Sequence, residues 1–223
     1  MRKGHLLSIM EYFELFLYRN SAAVAALTHS FKENLVSRNI PPDKIHVVLN
    51  GVDLPRYGPR VRNTHLATSW GIDDKFVVGY LGTHGMAHGL VNVLEAAEKL
   101  ESRTNILFLL VGAGAERDML MNEASSRNLD NVKFMPSQPK ESMPEIWSLC
   151  NVALVHLKDT PAFADVLPSK LFEAMAMGLP VLLVSPEGEA SRLVSSHGVG
   201  PWVIAGQPEI LAETVEVLFK DKN

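Results

Sequence analysis

"VALVHLKDTPAFADVLPSKLFEAMAMGLPVLLV", residues 152–184, reads as two short apolar runs joined by one longer segment. VALVHL (152–157) and PVLLV (180–184) are aliphatic and lack polar alternation, as expected of strands covered on both faces. Between them Pro168 opens, and Gly178 before Pro180 closes, a helix predicted over 169–177. Strand, helix and strand in that order form a βαβ unit with parallel strands.

The same alternation extends in both directions. Further strands are predicted at 76–81 (FVVGYL), 106–111 (ILFLLV), 131–135 (NVKFM) and 201–204 (PWVI). Helices are predicted near 89–100, 115–126, 142–149, 188–196 and 208–219. Six strands with intervening helices define an α/β domain, a doubly wound parallel sheet. Such sheets bind ligands in the crevice beyond the carboxyl ends of their strands, so the functional residues are expected just after each strand.

Upstream, a helix over 5–19 (HLLSIMEYFELFLYR) is apolar on nearly every side and is expected to be packed. A strand near 22–27, a helix near 29–38 and a strand at 45–49 follow it. Residues 50–74 are rich in Gly, Pro, Asn and Asp with no sustained period. The expected division is therefore a first portion over 1–50, a linker over 51–75 and the main domain over 76–223.

Composition narrows the function classes. Of 223 residues, 47% are hydrophobic and 21% charged, ordinary for a chain with a filled core. The net charge of -4 provides no basic face for nucleic acid. The single cysteine, Cys150, excludes an intramolecular disulfide and fits a reducing compartment. Met1-Arg2-Lys3 is basic, but Leu6 to Leu17 contains Glu11 and Glu14 and lacks a cleavage site, so no signal peptide is read. That stretch is also too short and too charged to span a bilayer, and a cytoplasmic chain is expected. Low-complexity tracts, charge blocks and internal repeats are absent.

Three strand ends carry candidate chemistry. GTHGMAHGL (82–90) follows the first strand of the main domain. Gly82 and Gly85 permit a tight turn, and His84 and His88 stand where they could donate to a phosphate. No third ligand has recognisable spacing, so a metal is not expected, and a plain Gly-rich turn with two surface histidines is the bland alternative. VGAGAERD (111–118) follows the second strand as G-x-G-x-x-R rather than the dinucleotide fingerprint, which disfavours a nicotinamide or flavin cofactor. There the plain reading is a turn with Arg117 solvated.

PSKLFEAMAMG (168–178) is the third. Ser169, Lys170 and Glu173 share one face of a helix otherwise made of apolar residues. An exposed ion pair at this spacing contributes only about 0.2–0.5 kcal/mol. Alternatively, the helix N-terminus and Lys170 bind a diphosphate while Glu173 accepts from ribose hydroxyls. Spacing alone leaves both readings open.

The order of FVVGYLGTHGMAHGL, LLVGAGAERD, NVKFM and PSKLFEAMAMGLPVLL resembles retaining GT-B glycosyltransferases of family 4. THSFKENLVSRNIPPDKIHVVLNGVD (28–53) is similar to the passage where those enzymes leave their first domain. The wording is nearest to members that transfer sugars in bacterial surface-polysaccharide (O-antigen and capsule) synthesis. The resemblance implies a Rossmann-like donor-binding domain, preceded by a remnant of an acceptor-side domain, so that the chain corresponds to the C-terminal half. It implies a nucleotide-sugar, with UDP the expected carrier, as substrate and no metal or other cofactor. Gly82, Thr83, His84 and Gly85, with His88, would approach the diphosphate or the charge developing on it. Ser169 and Lys170 would bind the same diphosphate, and Glu173, the second Glu of an E-x7-E motif, the ribose. Backbone near Lys133 and Phe134 would meet the base.

His88, Lys170 and Asp165 form the implied catalytic set, Asp165 standing where the first Glu of the motif belongs. Thr83 and His88 also replace an Arg-x4-Lys pattern frequent in the family. The length implies that most of the acceptor domain precedes residue 1, with reduced or no transfer by the truncated chain. Expected partners are the nucleotide-sugar, a saccharide or lipid-linked acceptor, the inner-membrane surface as a peripheral site, and a second copy bound through the apolar N-terminal helix. A nucleotide-sugar 2-epimerase and a non-catalytic nucleotide-binding module are the alternatives.

Overall fold

Residues 5–221 are described by a computed structural model of the chain. In chain order, α1 (His5–Asn20), β1 (Val24–Ala26), α2 (His29–Ser37), β2 (Ile45–Val47) and α3 (Thr64–Trp70) lead into the main domain. There β3 (Phe76–Leu81), α4 (Val91–Lys99), β4 (Ile106–Val111), α5 (Arg117–Ser126) and β5 (Val132–Met135) form the first half. The second half holds α6 (Met143–Trp147), β6 (Val152–His156), α7 (Ser169–Ala176), β7 (Val181–Ser185), α8 (Glu189–His197), β8 (Trp202–Ile204) and α9 (Pro208–Asp221).

The six strands of the main domain form one parallel sheet in the order β5-β4-β3-β6-β7-β8. This is the doubly wound arrangement expected from the sequence. The chain leaves β3 towards β4 on one side and returns to pair β6 on the other, which places the topological switch point between β3 and β6. Alternation within β3 divides the core. Phe76, Val78 and Tyr80 pack with α4, α5 and α9, whereas Val77 and Leu81 pack with α6, α7 and α8. Gly79 faces this second layer because Cys150 needs the space: a Cβ there would collide with the Cys150 sulfur.

β1 and β2 form a separate parallel pair covered by α2, with Val24, Ala26, Leu35, Ile40 and Ile45 as a small core. This portion touches the main domain at Ser30, whose backbone N–H and hydroxyl both donate to Glu189 Oε1 at 2.8 Å. Asn50 Nδ2 also donates to the Leu167 carbonyl at 2.9 Å.

Two expectations need correction. The apolar α1 buries none of its residues; Leu6, Ile9, Met10, Tyr12, Phe13, Phe16 and Leu17 are all exposed, because only Leu15 and Tyr18 reach the small core beneath. Residues 50–74 are not wholly irregular, since they contain α3. The Asn63 side chain accepts from Leu66 N at its start, left-handed Gly71 closes it, and Ala67 is buried. A helix of seven residues is too short to display a period.

Candidate functional site

The site lies at the switch point. A cavity of about 420 Å³ is lined by Gly82 and Thr83 after β3, Leu157 after β6, and Pro168, Ser169, Lys170 and Glu173 at the start of α7. Tyr57 from the linker, His88, Lys140 and Met143, the first residue of α6, line it as well. Pro168 is the N-cap of α7 and supplies no side-chain cap, so the first two amides of this eight-residue helix, those of Ser169 and Lys170 beside the cavity, have no intrahelical partner.

Lys170 is the central feature. It is only 9% exposed, yet its ammonium has no hydrogen-bond partner among the described residues. It lies 3.8 Å above the centroid of the Tyr80 ring. Gly82, with φ of +148°, also adjoins it: a Cβ there would come within 2.7 Å of Nζ. Burial pulls the Lys170 pKa down to about 7, with Glu173 acting weakly in the opposite direction. The bare ion pair that spacing allowed is therefore not formed. Glu173 instead accepts a hydrogen bond from Trp147 Nε1 at 3.2 Å through Oε2. Close by is the buried Tyr57 hydroxyl, whose pKa burial and then the Glu173 charge raise.

His88 borders the cavity, with its Nδ1 3.3 Å from the His156 carbonyl, which fixes the proton on Nδ1. Burial, then the Lys170 charge, lower its pKa. Gly85 closes the turn behind it by accepting from His88 N at 2.9 Å. A second cavity of about 290 Å³, lined by Val111, Gly112, Ala113, Ser137 and Gln138, shares Gly82, Thr83 and Met143 with the first.

Four sequence-predicted residues lie elsewhere. His84 is fully buried, with its ring against Tyr80 and Phe134, because the turn after β4 closes over it, Gly114 against its backbone and Gly112 against the Gly82 carbonyl and the His84 ring. Burial, Arg117 and Lys170 lower its pKa to about 4, so it is a neutral core residue and not a surface donor. Phe134 is that ring's neighbour, and Lys133 donates to the Trp70 carbonyl; neither lines either cavity. Asp165 lies on a separate cavity with Glu14, Tyr18 and Phe31 of the first portion, and it does not line the cavity that holds Lys170. Arg117 is only partly exposed, and its Nε is buried with no hydrogen-bond partner among the described residues.

Sequence reasoning overlooked Tyr57, Tyr80, Ser137, Gln138 and His156. Ser137 and Gln138 follow β5 and obey the strand-end rule already applied to β3 and β4. His156 interrupts an apolar strand; its Nε2 lies 2.9 Å from Asn92 Oδ1, and burial lowers its pKa to about 4.

An unpaired buried ammonium, a helix N-terminus and a glycine turn thus converge at the switch point of the parallel sheet of a doubly wound α/β domain. The chain belongs to the family described as glycosyl transferases group 1, which matches residues 64–223. A second description, Glycosyltransferase Family 4, matches residues 1–56. Similar relatives include WcaI of Escherichia coli K12, a glycosyl transferase assigned to colanic acid biosynthesis, 37% identical over 48% of this chain and 26% of its own length. A GDP-mannose-dependent alpha-mannosyltransferase of Mycobacterium tuberculosis is 25% identical over 86% of this chain and 47% of its own. The chain thus spans half or less of these two relatives. The crystal structure of Anabaena Alr3699/HepE with UDP-glucose superimposes with a TM-score of 0.81 at 20% identity, covering 95% of this chain and 58% of that one. At that identity the likeness speaks for the GT-B type of fold.

Proposed function

We propose that this chain is the donor-binding portion of a retaining glycosyltransferase of surface-polysaccharide synthesis, using a UDP-sugar and a saccharide or lipid-linked acceptor. The observation that carries the reading is the buried Lys170 ammonium without a partner beside the cavity. A desolvated cation is costly unless an anion completes it, and a diphosphate between Lys170, the α7 amides and the Gly82 turn does so. Glu173, held by Trp147 through one oxygen, offers the other to ribose hydroxyls. The adjoining cavity at Gly112, Ser137 and Gln138 takes the base, and His88 stands on the sugar side. In this reading Gly82, Thr83, Ser169, Lys170, Glu173 and His88 are retained, and Asp165 faces the acceptor side.

Positioning of two reactants supplies roughly 7–11 kcal/mol of a barrier, so the chain by itself binds donor but transfers poorly. The exposed apolar face of α1 would pair with a second copy, giving a dimer by light scattering at micromolar concentration; a strict monomer contradicts that pairing. No described helix is long and apolar enough to cross a membrane. Calorimetric titration with UDP, GDP and ADP tests the donor site. Binding of UDP, weakened about tenfold or more by Glu173→Ala, is expected from loss of a charged hydrogen bond. Absence of heat with all three diphosphates overturns the reading.

A further inference from the structure

Tyr80 is the only residue of β3 with a polar side-chain atom, and it is completely buried. An aliphatic residue would fill the same layer between β3 and α4. Instead, the hydroxyl donates to the Thr83 carbonyl at 2.8 Å, and the ring face carries Lys170 Nζ at 3.8 Å from its centroid. Lys170 reaches this ring from the opposite layer, over the end of the strand. The groups electrostatically close to the ammonium are His84 and His88 from the β3–α4 segment, His156 from β6 and Glu173 from α7. The three histidines are held towards their neutral forms, and Glu173 makes no ion pair with Lys170.

A carboxylate under the lysine would hold the cation but occupy its N–H donors. A ring face attracts the cation through its quadrupole and leaves those donors free. Gly82 has no side chain to displace Nζ, so the ammonium keeps its place on the ring. We propose that Tyr80 is a positioning residue for the anion site: its ring seats the Lys170 ammonium without neutralising it, and its hydroxyl fixes the Thr83 carbonyl, so that cation and glycine turn meet a diphosphate in one fixed geometry. The ligand rests on the donor-site reading above; the seat itself can be tested without a ligand.

The first arm follows the Lys170 side-chain carbons by NMR across pH in the ligand-free chain, with Lys170→Met assigning the resonance. Tyr80→Phe keeps the ring and leaves the midpoint in place. Tyr80→Leu removes the ring and lowers the midpoint by about one unit, the size of a desolvated cation–π contact. Pentafluorophenylalanine at position 80 keeps the shape, so that a folded variant is available, yet reverses the ring's field and also lowers the midpoint. An unchanged midpoint across the series overturns the seat.

The second arm compares UDP with uridine. Tyr80→Leu should weaken UDP about tenfold and leave uridine unchanged, and add nothing in the Lys170→Met background. Equal loss for both ligands means the ring merely fills the core and overturns the proposal. If the wild-type chain binds no UDP, the donor-site reading falls, and the lysine midpoint alone decides the seat.

Discussion

Diphosphate binding to this chain should consume a proton above neutral pH. Burial lowers Lys170 from its ordinary 10.5 to about 7, so the ligand-free protein loses this charge as pH rises through 7. A bound diphosphate supplies the missing counter-charge and hydrogen bonds, returning the pKa towards or above its ordinary value. Only the protonated fraction of free protein is competent, about one-half at pH 7, one-tenth at pH 8 and one-hundredth at pH 9. The affinity for UDP should therefore fall roughly fiftyfold between pH 7 and 9. His84 and His156, at about 4, and the lowered His88 are neutral throughout this window, and the terminal phosphate, with a pKa near about 6, is already ionised. Calorimetry at pH 8 in buffers of different ionisation enthalpy should record uptake of about 0.9 proton.

The same shift acts on stability. The unfolded chain binds the proton more strongly between pH 7 and 10.5, so ligand-free stability should rise with pH over that interval. Lys170→Met removes the buried charge and should stabilise the chain by several kcal/mol at pH 7, on the order of 3–4, while weakening UDP and flattening its pH dependence. A UDP affinity constant from pH 7 to 9, or Lys170→Met binding as tightly as wild type, would refute the assignment of the anion to this ammonium.

Three further outcomes follow from the packing. Trp147→Phe removes the indole donor to Glu173 and should weaken UDP about fivefold while leaving pyrophosphate unchanged, by calorimetry of both ligands. Gly114→Ala places a Cβ against the His84 backbone at a φ of +157°, and should cost roughly 3 kcal/mol or more in denaturant unfolding. Glu189→Ala releases Ser30, and amide exchange over α2 should accelerate about tenfold while β7 remains protected.

Much of the main domain was legible because parallel strands covered on both faces are uninterrupted apolar runs; β3 and β4 begin and end where the sequence placed them. The strand-end rule likewise led to Gly82, Lys170 and Glu173. Spacing could not decide between ion pair and site, since that depends on which way the Lys170 side chain turns, and it turns onto the ring of Tyr80, remote in sequence. His84 appeared exposed because its polar neighbours are local, while the glycines that bury it belong to the turn after β4. Asp165 sits eight residues before Glu173, but residues 166–168 between them are irregular and only Ser169 onward is helical, so sequence distance does not translate into a shared cavity. Tyr57 enters from the linker, where no periodicity points to its partner.

Cys150 has a practical consequence. It fills the hollow left by Gly79, and burial pushes its thiol up to about 12, so almost no thiolate exists at the pH of maleimide chemistry. It is also the chain's only cysteine. A cysteine introduced at Ser137 or Gln138 would thus be the sole reactive sulfur, and a fluorophore attached there would report occupancy of the second cavity without any change to the native thiol.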